Sequence, residues 1–95
     1  MYFEFLKELT NKVDLEIVRE FKQKGLIKGS YTYYCEIKIN DNSFMLSYND
    51  KAKGYYMTDY EPATEMISKD YCYGNDKAIT KMILKLASES NNTIN

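Results

Sequence analysis

A chain of 95 residues, 44% apolar and 28% charged, fits one compact domain rather than a disordered segment. A net charge of −1 argues against a general polyanion binder, which carries a marked basic excess. The absence of histidine removes His-based triads, His-ligated zinc and the commonest general base near neutral pH, so no enzyme is expected.

No apolar run is long enough to cross a bilayer, and the opening MYFEFLKEL carries an acid where a secretion signal carries bases. A cytoplasmic protein with no membrane partner is expected, in which Cys35 and Cys72 stay reduced. A single arginine, Arg19, among many Lys, Asn, Ile and Tyr suggests an AT-rich genome, as in low-GC bacteria and their phages.

In chain order, residues 3 to 24 read as one amphipathic helix. Phe3, Leu6, Leu9, Val13, Ile17 and Phe21 share a face at three- and four-residue steps, and Gly25 stops it. A break at Thr10-Asn11 is the alternative, since Asn11 with Asp14 resembles a cap and Leu15 and Val18 lie off the stripe. YTYYCEIKIN then alternates with the period of a half-buried strand, Tyr31, Tyr33, Cys35, Ile37 and Ile39 falling on one side. A two-residue Asp41-Asn42 turn would set Ile39 against Phe44, Ile37 against Leu46 and Cys35 against Tyr48. NDKAKG makes a second turn and YYMTDY a third strand. Glu61-Pro62 favours a short helix over Ala63 to Lys69 with Ala63, Met66 and Ile67 inward, and DYCYGN is expected to be a loop. Asp76 or Asn75 caps a last helix whose Ile79, Met82, Ile83 and Leu86 form a stripe.

The expected fold is therefore α+β. It comprises an N-terminal helix, a three-stranded antiparallel β-meander, a short helix and a C-terminal helix packed on one face of the sheet. Residues 1–90 make a single compact domain, and 91–95 a frayed tail.

Residues 57 to 76, MTDYEPATEMISKDYCYGND, gather Asp59, Glu61, Glu65, Asp70 and Asp76 against Lys69 alone, with Tyr60, Tyr71 and Tyr73 among them. Capping accounts for part of this charge. Acids interleaved with phenols also suit a surface that steers and anchors a basic partner. Asp59, Tyr60, Glu61, Glu65, Asp70, Tyr71 and Tyr73 are the candidate partner-binding residues, and the partner expected is a basic protein surface, such as that of a nucleic-acid-processing enzyme. Homodimerisation through an open sheet face is a further option.

A second reading takes Tyr34 and Tyr55 as an aromatic platform for nucleic acid, with Lys77, Lys81 and Lys85 on one helix face; direct nucleic-acid binding is the weaker of the two, because Glu36, Asp50 and Asp59 offset the nearby lysines. Cys35 on the inward face is expected to be inert, as is Cys72 in its acidic loop. No cofactor is implied, and the acids lack the spaced loop with a central glycine that a calcium site needs.

The order of helix, three strands and a last helix opened by DKAITK resembles that of double-stranded RNA-binding domains. The tight NDNS turn and the missing histidine depart from that family's long loop, and its function is not carried over. The element order and the acidic stretch are also similar to those of some small anti-CRISPR proteins. That resemblance implies a phage-encoded stoichiometric inhibitor that occupies a host enzyme's basic site with carboxylates.

Overall fold

A computed structural model describes residues 2–92. The elements in chain order are α1 (Leu6–Leu9), β1 (Leu15–Lys24), β2 (Tyr31–Ile39), β3 (Asn42–Asn49), β4 (Gly54–Asp59), β5 (Asp70–Gly74) and α2 (Asp76–Asn92). The strands form one antiparallel sheet in the order β1-β2-β3-β4-β5. The chain is α+β, but its sheet has five strands where three were expected, and its helices are placed differently.

The central hairpin closes at Asn40-Asp41, both with positive φ (48° and 72°), the left-handed pair that a tight hairpin requires and that Asn and Asp tolerate. Ile39 lies opposite Asn42, Ile37 opposite Phe44 and Cys35 opposite Leu46. The expected Asp41-Asn42 turn is thus displaced, and the register moves with it by an even number of residues. An even shift leaves every side chain on its expected face; an odd one would have exchanged core for solvent.

The first correction concerns residues 15 to 24, which are strand β1 and not the second half of a helix; only Leu6–Leu9 are α-helical near the N-terminus. Ile17, Val18 and Phe21 suit a pleated surface, and β2 would otherwise leave its outer edge without backbone partners. Leu15 pairs with Ile39 and Ile17 with Ile37, after which Val18 is an extra residue and Arg19 pairs with Glu36. This bulge reverses the alternation, so Leu15 and Ile17 face the core while Arg19, Phe21 and Gln23 face the other side of the sheet.

The second correction concerns residues 60 to 69. No helix forms there: Glu65 is left-handed (φ 55°), Glu61 and Met66 exchange backbone hydrogen bonds, and Ala63, Met66 and Ile67 are exposed rather than inward. Asp59 holds the base of this loop. Its Oδ1 accepts from the Ser68 and Lys69 amides at 2.9 and 2.7 Å, and its Oδ2 accepts from the Ser68 hydroxyl at 2.7 Å. The third correction is that Asp70–Gly74, expected as a loop, is strand β5, with Tyr71 as its bulge residue.

One face of the sheet carries the core. Ile37, Leu46 and Met57 meet Ile79, Ile83 and Ala87 of α2, while Phe3, Leu6 and Leu9 close the N-terminal side. Full burial of each such aliphatic side chain contributes about 1.5–3 kcal/mol. Asn75 caps α2 by accepting the Ala78 amide at 3.0 Å, one of the two expected caps. The helix runs to Asn92, into the stretch expected to fray; residues 93–95 of that stretch lie outside the described residues.

Candidate functional site

The acidic segment meets two distant parts of the chain at one end of the sheet. A groove of about 670 Å³ opens there between the β2–β3 turn, residues 59–62 and the last turns of α2. Asp41, Asp59, Glu61 and Glu89 line it, the half-buried Tyr71 and Leu86 supply its accessible apolar surface above the buried Ile39 and Phe44, and no lysine or arginine is among its lining residues, although Lys69 Nζ lies 5.0 Å from the Tyr71 ring centroid. Tyr71 is half-buried with its ring edge-on to Phe44 at 5.3 Å, so it is anchored rather than free to rotate.

The carboxylates are not equivalent. Asp59 is engaged internally: the Ser68 hydroxyl first, then the Lys69 and Ser68 amides, hold its carboxyl below the ordinary carboxylate range. Glu61 turns one oxygen back to the Ala63 amide at 3.2 Å. Glu89 lies 4.0 Å from Lys85, an exposed contact of little consequence. Asp41 stands exposed at the turn. Asp41 and Glu89 were not expected at the site, because nothing in a linear reading places residues 41, 61 and 89 together.

The remaining candidates, apart from Tyr60 at the groove's edge, lie elsewhere. Tyr60, expected to be accessible, is 9% exposed and accepts a hydrogen bond from the Arg19 guanidinium at 3.2 Å. Arg19 Nε donates to Glu36 Oε1 at 2.7 Å, and that hydrogen bond holds the guanidinium charged beside a buried carboxylate. Glu65 borders a separate hollow with Arg19, Phe21, Tyr34 and Ile67, on the face opposite the helix. Asp70 is exposed at the start of β5, opposite Thr58. Tyr73 is 57% exposed on that opposite face, against Tyr56 with ring centroids 4.5 Å apart. Of the seven residues proposed from sequence, Asp59, Tyr60, Glu61 and Tyr71 line the groove, and Glu65, Asp70 and Tyr73 do not.

The opposite face carries an aromatic row that includes the expected Tyr34 and extends beyond it. Phe21, Tyr34, Ser47, Tyr56 and Tyr73 are successive cross-strand partners, one from each strand, and form a single row across the sheet. Phe21 and Tyr34 stack at 4.9 Å with 14° between their planes. Ser47 leaves a gap between that pair and the Tyr56/Tyr73 pair. Phe21 joins the row only through the bulge at Val18.

Tyr55, the other aromatic of the second reading, is on the core face. Its hydroxyl donates to the Tyr2 carbonyl, and burial raises its pKa. Lys77, Lys81 and Lys85 lie on α2, which packs on that same core face, so they do not share a surface with Tyr34. Cys35 is fully buried, and burial, with smaller contributions from Glu20 and Glu36, pushes its thiol up to about 12, which keeps it protonated and unreactive. Cys72 is half-buried with Sγ 3.6 Å from the Ala78 carbonyl. Among the described residues no cluster of His, Cys, Asp and Glu could hold a metal ion, and no helix is long and apolar enough to cross a membrane.

Comparison with protein-family models, curated proteins and solved structures finds no match for this chain.

Proposed function

We propose that the chain is a non-enzymatic interaction module whose acidic groove receives a basic segment of a partner protein. The observation that carries this reading is the groove itself: four carboxylates around the half-buried Tyr71 ring, with no basic side chain in the lining. Charge steers such a partner in, and the fixed aromatic surface gives it something to pack against. The partner class inferred is a nucleic-acid-processing protein, whose basic site the carboxylates occupy. In that role the chain acts stoichiometrically, as a small inhibitor or regulator of the kind that phages and mobile elements encode.

A synthetic Lys/Arg-rich peptide followed by amide chemical shifts tests the reading. Shifts concentrated on Asp41 to Phe44, Tyr60 to Glu61 and Tyr71, and abolished by Asp41→Lys with Glu61→Lys and Glu89→Lys, are expected. Shifts spread evenly over the acidic surface, unchanged by those substitutions, would remove the groove as the site.

The aromatic row favours a second reading, in which a single-stranded nucleic acid stacks its bases across Tyr34, Tyr56 and Tyr73. Filter binding of a thymidine oligonucleotide at low salt decides between the two. Binding lost in Tyr56→Ala with Tyr73→Ala and weakened steeply by salt would favour the row over the groove.

A further inference from the structure

The opposite end of the sheet differs in both charge and apolarity. β1 and β2 are joined there by Gly25–Ser30, next to the β3–β4 turn. In these two connections and the strand ends leading into them, Lys22, Lys24, Lys28, Lys51 and Lys53 are opposed by Asp50 alone, and Asp50 accepts the Tyr31 amide at 3.0 Å. At the tip, Leu26 is fully exposed and Ile27 is 47% exposed. A lone exposed leucine is ordinary, but two adjacent aliphatic side chains on a lysine-flanked tip are not.

The tip is braced. The Gly25 amide donates to the Ser30 carbonyl and the Ser30 amide to the Ile27 carbonyl, both at 3.0 Å. Ser30 is buried, and its hydroxyl accepts from Asn49 Nδ2 at 3.1 Å. A side chain at Gly25 would come within 2.3 Å of that hydroxyl and 2.5 Å of the Asn49 amide, so only glycine lets the loop seat on this bracket. Leu26 is therefore displayed by a built loop. Beside it, Lys24 and Lys28 border a hollow of about 420 Å³ that Tyr31 also lines.

We propose that this hairpin tip docks on an anionic lipid bilayer, Leu26 and Ile27 entering the headgroup boundary while Lys24 and Lys28 hold the lipid phosphates. Two aliphatic side chains on a convex tip are far short of the ~800 Å² that a specific protein partner buries on each side. The lysines would meet the phosphates of a nucleic acid as readily, but the two aliphatic side chains would then stay in water. A fluid interface needs no matching shape, takes small apolar insertions and is strengthened by each nearby lysine. That no helix among the described residues can span a bilayer bears on crossing a membrane, not on resting against one, and this end of the sheet is remote from the acidic groove, so the inference stands apart from the function proposed above.

The test is co-sedimentation of the full chain with vesicles of phosphatidylcholine alone and of phosphatidylcholine containing about a third phosphatidylserine. Association with the anionic vesicles only is expected, weakened about five-fold for each of Lys24→Gln and Lys28→Gln. Leu26→Asp should weaken it about ten-fold. Because the chain has no tryptophan, Leu26→Trp gives a single indole whose emission should shift to the blue on anionic vesicles. No association with anionic vesicles, equal association with both kinds, or an indole emission that stays that of water would overturn the proposal. Leu26 is fully exposed, so unchanged thermal midpoints in these variants separate lost binding from lost folding.

Discussion

The two faces of this one sheet are covered by different means, and the difference separates what holds the molecule together from what it offers to others. One face lies under α2 and the N-terminal residues, and Ile37, Leu46 and Met57 there lose all contact with water. The other face is covered over only part of its area. Tyr60, Glu65 and Ile67 gather beside Met45, and Tyr60 meets the Arg19 that pairs with the buried Glu36, while the aromatic row beyond them stays half in solvent. A helix buries a face with its own side chains. A loop does so with one tyrosine and a borrowed arginine, which suffices for a polar pair but leaves large rings exposed.

The largest expected effect is on the helix-covered face. Leu46→Ala should lower stability by about 2–5 kcal/mol in denaturant melts, because the surrounding core cannot collapse into the space. If it costs no more than an exposed substitution, the two faces do not differ as described. Under the loop, Tyr60→Phe removes the hydroxyl that Arg19 contacts and should cost about 0.5–1.5 kcal/mol in the same assay.

Acid should act on the loop before the core. The Asp59 carboxyl titrates below its ordinary value of 3.8 in the folded chain, so its contribution is complete above that value and is lost as pH falls through the lowered one. The Ser68 and Lys69 amide shifts should move together over that acid range while those of Ile37 and Leu46 stay fixed, and Asp59→Asn should abolish the step. Concerted movement of all four amides would mean that loop and core open as one unit. Smallest of all, Tyr56→Ala and Tyr73→Ala should each lower stability by no more than about 1 kcal/mol, since each ring is about half in solvent and loses only its cross-strand partner. A larger loss of stability on either would make the aromatic row structural and leave the second functional reading without support.

Both functional proposals lie at the ends of the sheet, where connections meet, and the acidic segment shows how far a linear reading reaches. Its charge and its tyrosines were plain in the sequence; their destinations were not. Asp59 and Tyr60 are adjacent in the chain, yet one ties the base of a loop and the other covers the opposite face of the sheet. Two phenols of similar surroundings in the sequence, Tyr71 and Tyr73, part at the β5 bulge, Tyr71 packing on Phe44 and Tyr73 on Tyr56.

The sequence by itself determined the central hairpin and the last helix, because a period of two in Tyr31 to Ile39 and the stripe Ile79, Met82, Ile83 and Leu86 are local signals that need no partner to be read. It also determined the faces of that hairpin, which survive an even change of register. Only the tertiary structure decided that residues 15 to 24 are a strand, that residues 60 to 69 form a covering loop, and that Asp41, Glu61 and Glu89 share a groove. The physical reason is that an ambiguous amphipathic segment takes whichever backbone partners the rest of the fold leaves open. The free edge of β2 gave β1 such partners, and the bulge at Val18 then sent Arg19 and Phe21 to a face that no spacing within the segment specifies.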